Sequence, residues 1–210
     1  MSAKETAVIP ESPLTPEQKV SRLVNMVDKG LIFDFGEKRE PNLRQQACDF
    51  SIALVKRAFE REAESDDAYK GIALTTYQTS DVHLFFGETD EEVPFSHGIT
   101  VVDVEGKPFL IDLTFCQFMN PDGGPLHEGR LNTSVSSATP LAQELLANGF
   151  IALTEENLRE YLRLTTKREN PSYLQKVTLA GLQQAPTVPL DFSDYYHGYE
   201  LWELDECLDA

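Results

Sequence analysis

The pattern of hydrophobic and polar residues predicts two helices in the first third of the chain. The first begins at Thr15-Pro16, where Thr15 and Gln18 have the spacing of a capping box, and it ends at Gly30. The second runs from about Leu43 to Glu64, with charged residues on one side and an apolar stripe on the other. Cys48 belongs to that stripe and is expected to face inward. The stripe consists of Cys48, Ile52, Val55 and Phe59.

The middle of the chain has the composition of a β-sheet. Four segments rich in β-branched and aromatic residues are separated by turn-forming residues, and each segment predicts a strand. Two helices follow, from Thr139-Pro140 to Gly149 and from Thr154 to about Thr166. Residues 191–210 mix aromatic and acidic residues and indicate either a strand or a docked tail. The predicted strands are Gly71–Tyr77, Val82–Phe86, Gly98–Val104 and Pro108–Phe115.

The last two predicted strands place a histidine and an aspartate on one face of the sheet. If Glu105-Gly106 is the two-residue turn of a hairpin, Val104 opposes Lys107, and His97 and Asp112 become diagonal neighbours. Asp112 lies inside an apolar run, where a charge is costly unless it is paired. A neighbouring imidazole would supply the partner and become a stronger base.

Cys48 supplies a nucleophile that this pair could activate. A thiol needs a base to form the thiolate, and the base needs an orienting group. We therefore interpret Cys48, His97 and Asp112 as a catalytic triad. Asn42 and Gln46 are the candidates for stabilising an oxyanion or contacting substrate, together with the backbone amide of Cys48.

Three features of this site stay open in the sequence. Asn42-Leu43-Arg44-Gln45 has the pattern of a capping box, and a helix that begins there places Cys48 in its second turn. A helix that begins nearer Gln46 places the thiol beside unpaired backbone amides, which lower the pKa of a thiol further. His83 is a rival base, although no buried acid follows it in its segment. Cys116 is expected to share the face of Asp112 as a core residue.

Composition narrows the classes of function. The 210 residues include 18 Lys and Arg against 35 Asp and Glu, and the resulting net charge of −17 disfavours nucleic acid as a partner. We see no apolar run long enough to span a membrane and no secretory signal. Three widely spaced cysteines and four scattered histidines form no zinc motif, so no metal is expected. Residues 1–14 indicate a flexible leader, and residues 15–210 a single domain.

The two strands that carry the histidine and the aspartate resemble those of papain-fold proteins. Ser96-His97-Gly98-Ile99-Thr100-Val101 and Pro108-Phe109-Leu110-Ile111-Asp112-Leu113-Thr114-Phe115 are similar to the His and Asp strands of the transglutaminase-like branch. The similarity is closest to bacterial toxin and effector domains that deamidate glutamine. It implies an α+β, papain-like domain with N-terminal helices packed on an antiparallel sheet and a catalytic core at about residues 43–165.

The resemblance also implies an activity. Such an enzyme converts glutamine to glutamate in a partner protein through a thioester on Cys48, without a cofactor. It would act in the cytoplasm, or in a target cell after delivery as an effector. Transglutamination, proteolysis and N-acyl transfer use the same triad and stay open, as does a binding protein in which the triad is degenerate. The substrate and the oligomeric state are not predicted.

Overall fold

The protein has an α+β fold built on a four-stranded antiparallel sheet in the order β1-β2-β3-β4. The structure is a computed structural model that describes residues 13–35, 47–88, 96–118, 139–165, 172–189 and 201–209. The strands are β1 Ala73–Gln78, β2 Gly98–Val104, β3 Lys107–Ile111 and β4 Phe150–Ala152. The helices are α1 Pro16–Phe35, α2 Cys48–Ser65, α3 Thr79–Phe86, α4 Pro140–Asn148, α5 Glu155–Leu164, α6 Leu179–Leu182 and α7 Leu201–Asp209.

The sheet separates two hydrophobic cores. On one face Val102 and Phe109 pack with α1, α2 and α7, and on the other face Ile99 and Leu110 pack with α3, α4, α5 and α6. Alternate residues of β2 and β3 therefore face opposite cores, as the two-residue period of a strand requires. The N-terminal helices lie on an antiparallel sheet, as the sequence predicts. No helix in the described ranges combines the length and the apolar character needed to cross a membrane.

Helix α1 begins as predicted but ends later. The amide of Gln18 donates to Thr15 Oγ1 at 3.2 Å, and the amide of Thr15 donates to Gln18 Oε1 at 2.9 Å, which completes the capping box. The predicted end at Gly30 is wrong, because the helix continues to Phe35. Gly30 lies instead where α7 packs against α1, and a Cβ at this position would come within 2.7 Å of the Cys207 carbonyl oxygen. Residues 201–209 of the C-terminal segment thus form a docked helix, α7, and not a strand, and residues 191–200 lie outside the described ranges.

The predicted strand Val82–Phe86 is wrong, because these residues lie in helix α3. The composition of the segment is typical of a strand, but its burial has a helical period. Gly87 ends the helix in the left-handed region, at φ 106°, and its amide donates to the last-turn carbonyls of His83 and Leu84. The buried apolar and histidine positions are Val82, His83 and Phe86, whereas Leu84 and Phe85 are 38% and 42% exposed.

The predicted hairpin has the expected register, although its second strand is shorter than expected. Val104 pairs with Lys107 across the turn Glu105-Gly106, whose φ angles of 57° and 79° suit a tight hairpin turn. The strand predicted as Pro108–Phe115 ends at Ile111. A 3-10 turn over Phe115–Phe118 follows, so Cys116 is buried as expected but does not belong to the strand.

The two helices predicted after the sheet are confirmed. Thr139 caps α4 by accepting a hydrogen bond from the amide of Ala142 at 3.2 Å, and Gly149 ends this helix with φ 76°. Thr154 caps α5 in the same way through the amide of Asn157 at 3.1 Å. These caps fix where β4 enters and leaves the sheet beside β3.

Candidate active site

Three segments meet at one end of the sheet. Since β2 and β3 are antiparallel, the start of β2 and the end of β3 lie at the same end of the sheet, and α2 begins there as well. Gly98 allows this approach, because a Cβ at Gly98 would overlap Cδ1 of Ile52 on α2. The packing brings the first residue of α2, Cys48, to the histidine that precedes β2, His97, which in turn contacts the aspartate that follows β3, Asp112.

The predicted histidine and aspartate form a buried pair. Nε2 of His97 lies 2.9 Å from Oδ2 of Asp112, and both residues are almost fully removed from solvent. The same Oδ2 accepts the Tyr161 hydroxyl at 2.8 Å. Oδ1 accepts the Thr114 amide at 3.0 Å and the Thr114 hydroxyl at 3.2 Å. Four donors thus satisfy the buried carboxylate and offset the cost of its burial.

The backbone fixes the two members of this pair. The carbonyl of His97 accepts the amide of Thr79 at 2.8 Å, which continues the β1–β2 register past the last strand residue. The amide of Asp112 donates to the carbonyl of Gly149 at 3.0 Å. The Asp112 carboxylate also accepts the backbone amide of Thr114, two residues further along the chain. This local turn ends the strand.

The electrostatics of His97 favour its protonated form. Burial of the ring opposes protonation, but the Asp112 carboxylate and then Cys48 outweigh it and raise the pKa of His97 to about 10. The ring also packs edge-on against Phe118, with ring centroids 4.8 Å apart. Near neutral pH the arrangement therefore supports a protonated His97 beside the Asp112 carboxylate.

Cys48 is the first residue of α2, which decides between the two helix starts left open by the sequence. The first amides of a helix lack intrahelical acceptors and carry partial positive charge, which favours a thiolate. Cys48 is half-buried, whereas Cys116 is buried. The third thiol, Cys207, lies on α7 and is also half-buried.

Cys48, His97 and Asp112 thus lie together at one end of the sheet, with the thiol beside the histidine and the histidine bonded to the aspartate. No family model, curated protein or solved structure matches the chain. The functional interpretation therefore depends on the contacts of these side chains. The oxyanion candidates Asn42 and Gln46 and most of the predicted leader lie outside the described residues.

Gln117 is a member of the site that the sequence analysis missed. Its Nε2 lies 2.9 Å from Nδ1 of His97, and the residue is only 2% exposed. Because Asp112 takes Nε2 of the ring, Nδ1 is the nitrogen left for the thiol, and Gln117 shares it. A neutral ring accepts a hydrogen bond from the amide at Nδ1, whereas an imidazolium needs an acceptor there, either the amide oxygen or the thiolate.

The sequence does not reveal the place of Gln117, because its pattern predicts a strand as far as Phe115. If the strand continued through Phe115 and beyond, the alternation of side chains would direct residue 117 to one of the two faces of the sheet. The 3-10 turn instead brings the backbone amide of Gln117 to the carbonyl of Thr114 at 3.0 Å and folds its side chain under the histidine. The local signal was Asp112 followed by Thr114, a pattern that favours a turn.

Tyr161 was also missed. It lies on the apolar face of α5, is fully buried, and contributes its hydroxyl to Asp112. Burial and then the neighbouring carboxylate raise the pKa of Tyr161 well above its usual value, so the hydroxyl remains a donor. A buried tyrosine needs a polar partner, but its sequence did not identify the partner.

The rival base, His83, has a different set of partners. Its Nδ1 makes a short hydrogen bond with the Tyr173 hydroxyl, and its Nε2 lies 3.5 Å from the hydroxyl of Thr165. Burial lowers the pKa of His83 to about 4. His83 is therefore neutral at physiological pH and is a structural residue on the face of the sheet that packs with α3, α4, α5 and α6. Within the described ranges, no group of three His, Cys, Asp or Glu side chains converges as metal ligands.

Proposed function

We propose that the protein is a cysteine-dependent amidohydrolase that converts glutamine side chains of a partner protein to glutamate. The observation that carries this proposal is the buried pair of His97 and Asp112, 2.9 Å apart, beside a half-buried cysteine at the start of a helix. A purely structural pair would not need a thiol in contact with the histidine. Perturbed groups of this kind are concentrated at catalytic sites.

In the first half of the reaction, the Cys48 thiolate attacks the carbon of the glutamine carboxamide. Negative charge moves to the carboxamide oxygen, and backbone amides at the start of α2 are positioned to donate to it. His97 then transfers its Nδ1 proton to the nitrogen, the carbon–nitrogen bond breaks, and ammonia leaves. The product is a thioester on Cys48 and a neutral ring.

In the second half, water replaces ammonia. The neutral His97 takes a proton from water at Nδ1, and the oxygen attacks the thioester carbon. The carbon–sulfur bond breaks, which gives a glutamate side chain, the thiolate and an imidazolium. Asp112 holds the Nε2 proton throughout, so the ring presents Nδ1 to the reacting atoms in both halves.

The same features support a papain-like, transglutaminase-like domain within residues 15–210. The nucleophile begins a helix packed on an antiparallel sheet, and the base and the acid come from neighbouring strands. The proposed activity acts on a partner protein as its substrate, and the mechanism above needs no cofactor. With a net charge of −17, we expect the substrate to carry a basic surface around the target glutamine.

The test is intact-mass analysis of candidate substrates incubated with the protein. Deamidation adds about one dalton per site, because an NH2 group is replaced by OH. The gain should appear with the wild type and with Cys207→Ala, and should disappear with Cys48→Ala. A gain that persists with Cys48→Ala would refute the assignment of the nucleophile.

A second candidate is a binding protein on the same fold with a degenerate triad. The amide of Gln117 favours it, since this group occupies the ring nitrogen that the thiol must use. A glutamine-directed electrophile separates the two functions. Rapid, pH-dependent labelling of Cys48 over Cys116 and Cys207 would support the enzyme. Equal and slow labelling of the three thiols would support the binding protein.

A further inference from the structure

A second carboxylate lies at the nucleophile and has no part in the mechanism above. Oδ1 of Asp49 is 3.8 Å from Sγ of Cys48, and Asp49 is half-buried. The same oxygen lies over the start of β2, where a Cβ at Gly98 would be 3.6 Å from it. Gly98 directly follows His97. An acceptor oxygen is therefore held between the thiol and the segment that carries the base.

The carboxylate of Asp49 faces the thiol in the first turn of α2. An acid in the first turn of a helix is common, because it complements the positive end of the helix dipole. Here the carboxylate also faces the sulfur, and its Oδ1 can accept a weak hydrogen bond from the Cys48 thiol. A carboxylate that accepts at the reacting sulfur is also placed to accept from a substrate group held there, and in a carboxamide that group is the nitrogen.

We propose that Asp49 is a specificity-determining residue that recognises the nitrogen of a primary carboxamide. This inference rests on the proposed amidohydrolase function. A carboxylate accepts hydrogen bonds and donates none, so it can bind the NH2 group of glutamine. The product carboxylate has no hydrogen to donate and is negative, so Asp49 repels it. Asp49 exchanges no proton in this role: the nitrogen still leaves as ammonia after His97 protonates it.

The same discrimination can be measured without a protein substrate. Iodoacetamide and iodoacetate both alkylate a thiolate by attack of sulfur on the CH2 group and loss of iodide. They differ only in a carboxamide against a carboxylate, which is the difference between substrate and product. The ratio of their rate constants at Cys48, measured by peptide mass analysis, therefore reports the preference of the site. A change in thiolate population alters both rates equally and leaves the ratio unchanged.

Asp49→Asn removes the charge and keeps the shape. We expect it to lower the ratio of iodoacetamide to iodoacetate rates by about fivefold, since two charges 4 Å apart in water interact by about 1 kcal/mol. Raised salt should lower the wild-type ratio in the same direction. Asp67→Asn is the matched control: Asp67 is exposed and follows α2, whose 18 residues place it roughly 27 Å from Cys48. Its ratio should equal that of the wild type.

An unchanged ratio in Asp49→Asn would overturn the inference. If that variant does not fold, Asp49→Ser tests the same point, because serine is well tolerated in the first turn of a helix. The outcome is separate from the proposed function. A wild type that deamidates glutamine while Asp49→Asn keeps the wild-type ratio refutes only the role of Asp49. A wild type with an unreactive Cys48 and no deamidation refutes the amidohydrolase itself.

Discussion

Replacement of Asp112 by asparagine tests the central interaction of the site. The carboxylate receives His97 Nε2 and the Tyr161 hydroxyl on one oxygen and two donors from Thr114 on the other. In Asp112→Asn the amide oxygen can keep the Thr114 donors, and the NH2 group then faces His97 and Tyr161. The ring must accept at Nε2 and carry its proton on Nδ1, so it can no longer take the proton of Cys48.

The magnitude of the effect follows from the charge. Without the carboxylate, burial of the ring is no longer outweighed, and the pKa of His97 should fall from about 10 to below its ordinary value of 6.5. Cys48 then loses the protonated ring as its partner, and its alkylation rate should drop on the order of tenfold or more. Turnover should fall further, by about 10²–10⁴, because the general base is lost as well.

The assay is the rate of alkylation of Cys48 by iodoacetamide from pH 5 to pH 10, with Cys207 in the same molecule as the reference thiol. The melting temperature is measured on the same variant. Because the hydrogen bonds can be remade around asparagine, we expect a modest loss of stability. A loss of about 1–3 kcal/mol with an unchanged rate profile would show that Asp112 is only a buried structural acid. It would leave Cys48 without its orienting partner and refute the triad.

Three further predictions test the surroundings of the pair. Gly98→Ala should push α2 away from β2, since its Cβ overlaps Cδ1 of Ile52; it should lower both stability, by about 1–3 kcal/mol, and alkylation of Cys48, and Ile52→Val should restore both in the double variant. Gln117→Leu should cost about 1–3 kcal/mol in urea unfolding, because it leaves buried Nδ1 of His97 without its amide partner, while an unchanged stability would show that another group bonds that nitrogen. The raised pKa of His97 stabilises the folded state fully below pH 6.5, and this stabilisation is lost as the pH rises toward 10. Relative to His97→Asn, the unfolding free energy of the wild type should therefore fall by about 1.4 kcal/mol per pH unit in that window. Parallel curves of unfolding free energy against pH for the two proteins would contradict the assignment.

Local sequence patterns predicted the elements that position the site wherever one signal, such as a tight turn, was stronger than the others. The β2–β3 hairpin has a tight turn between two apolar segments, and its register followed from that turn alone. The contact of His97 with Asp112 is confirmed, although the ladder ends before either residue. Parity placed both side chains on one face, and the backbone keeps that direction for one residue past the strands.

The errors arose where tertiary packing or turn chemistry outweighed composition. The segment of α3 contains β-branched and aromatic residues, but it packs against the core that contains Ile99 and Leu110, and its buried positions there follow a helical period. Gly30 resembled a helix end, yet it is small because α7 crosses there. Gln117 and Tyr161 could not be assigned to the site, because both depend on the path of the chain after β3 and on how α5 docks.

The site is assembled from both sides of the sheet. Cys48 comes from α2, which belongs to the core shared with α1 and α7, whereas Tyr161 comes from α5 in the opposite core. His97 and Asp112 lie at the sheet edge between them, and neither core alone supplies the thiol and the full set of donors for the carboxylate. A buried charge is stable only when all its donors are in place. The buried pair of His97 and Asp112 therefore depends on complete folding of both layers, so that any enhanced reactivity of Cys48 should arise together with the native state and not in a partly folded chain.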